Sequence, residues 1–229
     1  MSETRIEEQT LAAQPAPEAE PSSARLIATL GLAGFFSGLI LVGVYLFTLP
    51  MIQAHRAQAL ERAIYLVLPG STTYQALALK DGQLAPAEEV PAAKSGEEPR
   101  RIFAGYDDSG KLLGFAIPAE EPGFQDIIGG ILGYDPIQKI IIGFEVLDSK
   151  ETPGLGDKIM KDAAFQNNFK TLAVDPQIVA VKKGEKRSPN EVEAITGATI
   201  SSKAVVRLLQ KAIEEWRPAI DAYEKTLNQ

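Results

Sequence analysis

Leu26 to Leu49 is a run of 24 residues without Asp, Glu, Lys, Arg or His, and it limits the fold of this chain more than any other stretch. As a helix rising about 1.5 Å per residue it reaches roughly 36 Å, enough to cross a hydrocarbon core of about 30 Å with some tilt. The chain is therefore read as carrying a single N-terminal transmembrane helix. A cleaved signal peptide has a basic start and a shorter apolar region. Here Glu3, Glu7, Glu8, Glu18 and Glu20 precede the run against only Arg5 and Arg25, so the helix is expected to remain as an anchor. Gly34 and Gly38 stand at a spacing that lets a second helix approach closely, which fits either a partner helix or the small-residue content of a lone anchor.

The rest of the chain divides around this anchor. Residues 1–25, rich in Glu, Pro, Ala, Gln and Ser, read as a disordered acidic tail. Residues 50–100 read as a juxtamembrane helix over Ile52–Leu68, stopped at Pro69-Gly70, and a linker whose last part, Asp81–Arg100, is a Pro/Ala/Glu-rich loop. Residues 101–229 read as one domain. Arg101–Asp107 and Lys111–Ile117 flank the turn Asp108-Ser109-Gly110, and Ile127–Tyr134 and Lys139–Leu147 flank Asp135-Pro136 in the same way. Gln177–Lys183 adds a strand, and Asp157–Phe169 and Lys203–Trp216 read as helices. Hairpins adjacent in sequence, with helices between and after them, predict an α+β fold: an antiparallel sheet with helices packed on it.

Composition narrows the chemistry. With 23 basic and 30 acidic residues the net charge is −7, which leaves no global basic field to collect phosphate backbones. The absence of cysteine removes thiolate nucleophiles and Cys-ligated metal, and a single histidine removes an imidazole-rich metal site. That histidine, His55, follows the anchor by a few residues and is read as interfacial. Any redox chemistry must come from a cofactor held by oxygens, backbone and apolar groups.

The residues best suited to hold one lie in Glu193-Ala-Ile-Thr-Gly-Ala-Thr-Ile-Ser-Ser-Lys203. Val205, Leu209, Ala212 and Trp216 follow at spacings of one helical face, so Thr196 to Ser202 sits at a helix N-terminus. Unpaired N–H groups and the positive end of the helix dipole suit that place to a phosphate. Gly197 and Ala198 remove bulk so that backbone and the Thr199 hydroxyl can approach one. Ser201 and Ser202 either cap the helix or add donors. Taken alone, the segment reads first as an ordinary capping loop, since a Thr-Gly-Ala-Thr string is not a phosphate signature by itself.

Thr196-Gly197-Ala198-Thr199-Ile200-Ser201-Ser202 resembles the flavinylation motif of the FMN-binding domain family. A second stretch, Glu151-Thr152-Pro153-Gly154-Leu155-Gly156-Asp157-Lys158, resembles the loop of its relatives in the G subunit of Rnf electron-transport complexes and the C subunit of sodium-pumping NADH:quinone reductase. The order between Gly123 and Lys158, with a glycine-aromatic pair, an apolar strand, Gly133, Asp135 and a second apolar strand, matches as well. The resemblance covers roughly residues 26–216. It implies FMN joined through its phosphate to the Thr199 hydroxyl by a separate flavin transferase, with Thr196 serving motif recognition. Pro153, Gly154 and Gly156 would set a tight turn, Leu155 would lie against the ring, and Thr152 would hydrogen-bond a ring or ribityl oxygen. Lys158 either balances phosphate charge or is a solvated helix residue. Two positions depart from the family: Glu193 stands where Asp is usual, and Gln125-Asp126 replaces a further glycine.

The expected function is that of a membrane-anchored subunit whose FMN relays electrons among the other membrane subunits of an Rnf-like complex. The domain, which has neither Cys nor His, offers no obvious hydride- or proton-transfer residue, which suits a carrier. The alternatives are a membrane-tethered binding module without flavin and a stand-alone extracytoplasmic flavin reductase. Arg56 and Arg62 against Arg25 lean, by the positive-inside rule, toward a domain on the cytoplasmic side. The family implies the periplasmic or outer face of the plasma membrane.

Overall fold

A single helix, α1 (Ser23–Val67), opens the computed structural model, which describes residues 22–90 and 99–227. Pro50, where the sequence reading separates anchor from juxtamembrane helix, lies inside this helix. Ser23, Ala24 and Arg25, expected as tail, form its first turn, Ser22 precedes it, and tail residues 1–21 lie outside those described. α1 is the one helix among the described residues long and apolar enough to cross a membrane. Every large apolar side chain from Leu26 to Phe47 is exposed, with no protein core to cover it. Inside the helix, the Thr29 and Thr48 hydroxyls donate to the carbonyls of Arg25 (2.8 Å) and Val44 (2.9 Å), the back-bonding that a lipid surround demands of polar groups.

Two compact units divide at Gln53/Ala54. The second is built on a seven-stranded antiparallel sheet. Its strands are β1 (Thr73–Lys80), β2 (Gln83–Pro86), β3 (Arg101–Tyr106), β4 (Leu112–Pro122), β5 (Ile127–Asp135), β6 (Ile140–Asp148) and β7 (Leu172–Ala173), in the order β2-β1-β3-β4-β5-β6-β7. Side chains alternate across it as the two-residue period requires. In β3 and β4, Ile102, Ala104, Phe115 and Ile117 enter the larger core, and Phe103 and Ala116 the smaller. The larger core is closed by α4 (Thr199–Leu227), which buries Val205, Leu208, Leu209, Ala212, Ile213 and Trp216. The end of α1 closes the smaller core with Ala63, Ile64, Val67 and the following Leu68. Gly133 and Gly143 are register partners at this contact. A Cβ on Gly133 would overlap the Val67 carbonyl oxygen, and one on Gly143 would lie 2.7 Å from Val67 Cα, so the helix end meets bare backbone.

The α+β fold and antiparallel sheet agree with the sequence reading, and four local expectations are corrected. The loop expected over Asp81–Arg100 begins with β2 and a 3-10 turn at Ala87–Glu89, while residues 91–98 lie outside those described. Asp81 and Gly82 both have positive φ (52° and 83°) and close a two-residue hairpin in which Lys80 faces Gln83, a turn chemistry the Pro/Ala/Glu content had masked. β4 runs on to Pro122 instead of ending at Ile117: its last register partner in β3 is Ala116, so Pro118 needs no N–H on that side. The helix expected over Asp157–Phe169 is two short ones, α2 (Lys158–Lys161) and α3 (Ala163–Asn167). Asp162 breaks it, extended at φ −78°, ψ 107°, and its carboxylate accepts the Phe165 N–H at 3.0 Å as an N-cap. Finally, the strand expected at Gln177–Lys183 shrinks to β8 (Val179–Val181). It pairs in parallel with β9 (Glu191–Glu193), outside the main sheet.

Candidate functional site

α4 begins at Thr199, four residues before the expected Lys203, so the motif Thr196–Ser202 contains its first turn. Ala198 occupies the N-cap position, where a Ser, Thr, Asp or Asn side chain would normally accept an N–H of the first turn. An alanine cannot. Among the described residues no acceptor meets the backbone N–H of Thr199, Ile200 or Ser201, whereas the Ser202 N–H is taken by the Ala198 carbonyl at 2.9 Å. Three amide donors at the positive end of a 29-residue helix are thus left open.

The two serines are spent inside the protein. Ser202 is fully buried; its hydroxyl donates to the Ala198 carbonyl (2.9 Å) and accepts the Ile195 N–H (3.0 Å). Ser201 is buried and donates its hydroxyl to Glu151 Oε2. The Thr199 hydroxyl, by contrast, is exposed and without a partner among the described residues.

The Glu151–Lys158 stretch leaves β6 and turns into α2. Thr152 accepts the N–H groups of Leu155 (3.2 Å) and Asp157 (3.3 Å) on its carbonyl, and Gly154 supplies the positive φ (76°) inside that turn. Glu151 is only 5% exposed. Its Oε1 accepts the N–H groups of Phe124 (2.9 Å) and Gln125 (3.0 Å) from the turn between β4 and β5. Burial pushes the Glu151 carboxyl up, but the Ser201 hydroxyl and these N–H groups outweigh it and hold the group below the usual glutamate range. Thr152 donates its hydroxyl to Gln125 Oε1 (3.1 Å), and Lys150 pairs with Asp126 (3.0 Å). Gln125 and Asp126, the departures from the family pattern, are therefore both tied to this loop.

A groove of about 310 Å³ opens where the two motifs meet, lined by Phe124, Glu151, Thr152, Leu155, Gly156 and the run Gly197–Ser201. Its large apolar members are unusually open to solvent: Phe124 is 65% exposed, Leu155 49% and Ile200 52%. Phe124 and Ile200 were not among the residues expected to hold a ligand; the glycine-aromatic pair Gly123-Phe124 was the available signal. Gly197, at φ 85°, would bring any Cβ to 3.7 Å from Leu155 Cδ2, so the motif passes close under the leucine. Pro153 and Gly154 are exposed at the loop tip and do not line the groove. Thr196 and Lys158 do not line it either. They border a second cavity, of about 270 Å³, with Asp162, Asn168, Lys183 and Glu193. Glu193 itself accepts the Gly184 N–H at 3.0 Å. His55 is exposed on α1.

Comparison with known proteins agrees with this arrangement. Residues 123–214, which hold both motifs, match the FMN-binding domain family. The G subunit of the proton-translocating ferredoxin:NAD(+) oxidoreductase complex of Clostridium ljungdahlii is 27% identical over 186 residues, covering 81% of this chain and 87% of that protein. The G subunit of the ion-translocating oxidoreductase complex of Methanosarcina acetivorans is 35% identical over 112 residues, 49% of this chain and 56% of that protein. The crystal structure of Shewanella oneidensis NqrC superposes with a TM-score of 0.58 at 20% identity, over 75% of this chain and 99% of that one. The resemblance carried by the two motifs therefore holds: residues 123–214 match the FMN-binding domain family, and the fold is shared with NqrC.

Proposed function

We propose that this chain is the membrane-anchored flavoprotein subunit of an Rnf-type ion-translocating complex and that it carries FMN as a phosphoester on Thr199. The single observation that carries the attachment site is the coincidence of an exposed, unpartnered Thr199 hydroxyl with three open N–H donors behind an alanine N-cap. Those donors suit a phosphate, and the exposed Phe124, Leu155 and Ile200 suit the face of a planar ring reaching out from it. In this reading the loop Glu151–Gly156 and the turn at Phe124 flank the ring, residues 101–229 carry the flavin, and α1 holds it at the membrane.

When bound, FMN supplies one- and two-electron redox chemistry. The chain's own work is to hold and orient. In attachment the Thr199 hydroxyl would be the nucleophile toward the flavin-side phosphorus of a flavin pyrophosphate donor, with the P–O bond to the second phosphate breaking, that phosphate leaving with its nucleotide, and the hydroxyl proton going to a base. Glu151 is the one titratable residue lining the groove, and it is ionised and saturated with hydrogen bonds, a poor base. In this reading the base is supplied by a separate flavin transferase. A covalent tether keeps the cofactor in an open groove while redox partners approach it.

Thr199→Val tests the assignment, because it removes only a hydroxyl at an exposed position. Flavin fluorescence on a denaturing gel should be present in the wild type and absent in the variant; fluorescence that survives in Thr199→Val overturns the site.

We further propose that the flavin domain lies on the outer face, as the family resemblance implies. One charge of positive-inside bias is a weak force against partner helices that can fix a single span. Protease added to intact spheroplasts should digest the chain after Pro50 and spare a tag placed before Glu3. Protection of the domain until the membrane is broken would reverse the orientation.

A further inference from the structure

Two carboxylates are buried among the described residues, and they are held in opposite ways. Glu121, in β4, is neutralised by Arg207 (2.9 Å) and Lys211 (2.7 Å) of α4, an ordinary ion-paired clasp. Glu151 has no cation against it in the described structure. Its charge is balanced by hydrogen bonds alone: two backbone N–H groups from the β4–β5 turn on Oε1 and the Ser201 hydroxyl from α4 on Oε2. A buried charge without a counter-charge is costly, and three well-formed donors are what make it tolerable.

We infer that Glu151 is a positioning residue of the flavin site, a carboxylate that ties the Phe124 turn and the first turn of α4 to its own loop and thereby sets Thr199 against Phe124 and Leu155. The inference rests on the proposed attachment at Thr199 for its functional consequence, but not for the clamp itself. The three segments it joins are distant in sequence, 27 residues from Phe124 and 50 from Ser201. The surrounding backbone leaves space for it. A Cβ on Gly123 would overlap Glu151 Oε1, and one on Gly156 would stand 2.6 Å from Oε2 and 3.0 Å from Ser201 Oγ. On either side of Glu151, Lys150–Asp126 and Thr152–Gln125 staple the same turn to the same loop. The Ser201 hydroxyl proton is committed to Glu151, so Ser201 offers a bound phosphate its N–H only. The carboxylate also sits at the positive end of α4, where a phosphate would bind, so its charge by itself gains the phosphate nothing.

Position and charge are separable by three variants of the full chain. Glu151→Gln keeps the reach: its carbonyl oxygen accepts the two N–H groups and its amide donates to Ser201, which turns from donor to acceptor. Glu151→Asp keeps the charge but is one methylene short, and Glu151→Ala keeps neither. In flavin-free protein in detergent, amide hydrogen exchange at 123–126 and at 202–203, the first hydrogen-bonded amides of α4, should rise about tenfold or more in Glu151→Ala and Glu151→Asp, as expected for losing hydrogen bonds to a buried charge, and change little in Glu151→Gln. Exchange in the middle of β5 should be unaffected. After maturation with the transferase, covalent flavin formed in a fixed time should fall in the Ala and Asp variants and be rescued in Gln. Failure of Gln alongside Ala, or wild-type behaviour of Asp, overturns the clamp. Local exchange that rises while flavin incorporation stays at the wild-type level overturns the positioning role. A wild type without any covalent flavin refutes the attachment at Thr199, while the exchange pattern still decides whether Glu151 is the clamp.

Discussion

Thr196 and Thr199 are the same residue type three positions apart in one motif, yet they border different hollows. The chain passes from one to the other at Gly197, whose φ of 85° turns the backbone between them. Thr196 borders the cavity of Lys158, Asp162, Lys183 and Glu193, where charged side chains of both signs gather. Thr199 borders the groove of Phe124, Leu155 and Ile200, where the only titratable group is a carboxylate already bound to the protein. What separates the two hydroxyls is the start of α4: Thr199 is its first residue and stands beside the open N–H donors, whereas Thr196 lies before the cap. A small difference in position relative to a helix end thus decides which hydroxyl can share its surroundings with a phosphate.

The groove side should respond most strongly. Leu155→Asp keeps the hydroxyl and the donors but sets a negative charge at the rim, so the ester should form while the flavin's visible absorbance shifts and its reduction potential falls. The fall should be on the order of tens of millivolts, as a screened charge at the protein surface implies. A variant with wild-type absorbance and potential would remove Leu155 from the flavin site and leave the 151–156 loop as a structural turn.

The cavity side should respond less. Thr196→Val should retain covalent flavin, with a reduction of a few fold at most if Thr196 serves recognition by the transferase; complete loss, equal to that expected of Thr199→Val, would erase the contrast between the two hollows. The smallest effect belongs to Lys158→Gln. Its side chain borders the other cavity, so flavin content and potential should remain at the wild-type level. A drop in potential in that variant would show that Lys158 reaches the flavin phosphate after all and would merge the two sites.

Much of this was open to reading from local signals. The anchor follows from an uncharged run that no soluble core could hide, and the structure leaves its large side chains uncovered from Leu26 to Phe47. The body of α4 was foreseeable because apolar positions at helical spacing follow a stretch of small residues, although its first turn, Thr199–Ser202, lies before the expected start at Lys203. Both hairpins of the domain's centre follow from turn residues: Asp107 and Asp135 each accept nearby backbone N–H groups on their carboxylates. The Asp81-Gly82 hairpin carried an equally strong signal but stood inside a composition that reads as linker. The break at Asp162 was hidden for a different reason, since an aspartate within an apolar pattern is as easily a solvated helix residue as a cap.

Sequence by itself determined the elements whose cause is local: the anchor, the central hairpins, the turn at Gly154 and the helix that begins in the motif. Only the tertiary structure decided that β1 and β2 extend the sheet, that Phe124 and Ile200 join the groove, that Lys158 and Thr196 fall outside it, and that Glu151 meets Ser201 across 50 residues. Periodicity, turn chemistry and capping act over a few residues and leave their mark in the string. A buried carboxylate finds its donors through burial and sheet register, which bring together segments whose separation in sequence carries no trace of the contact.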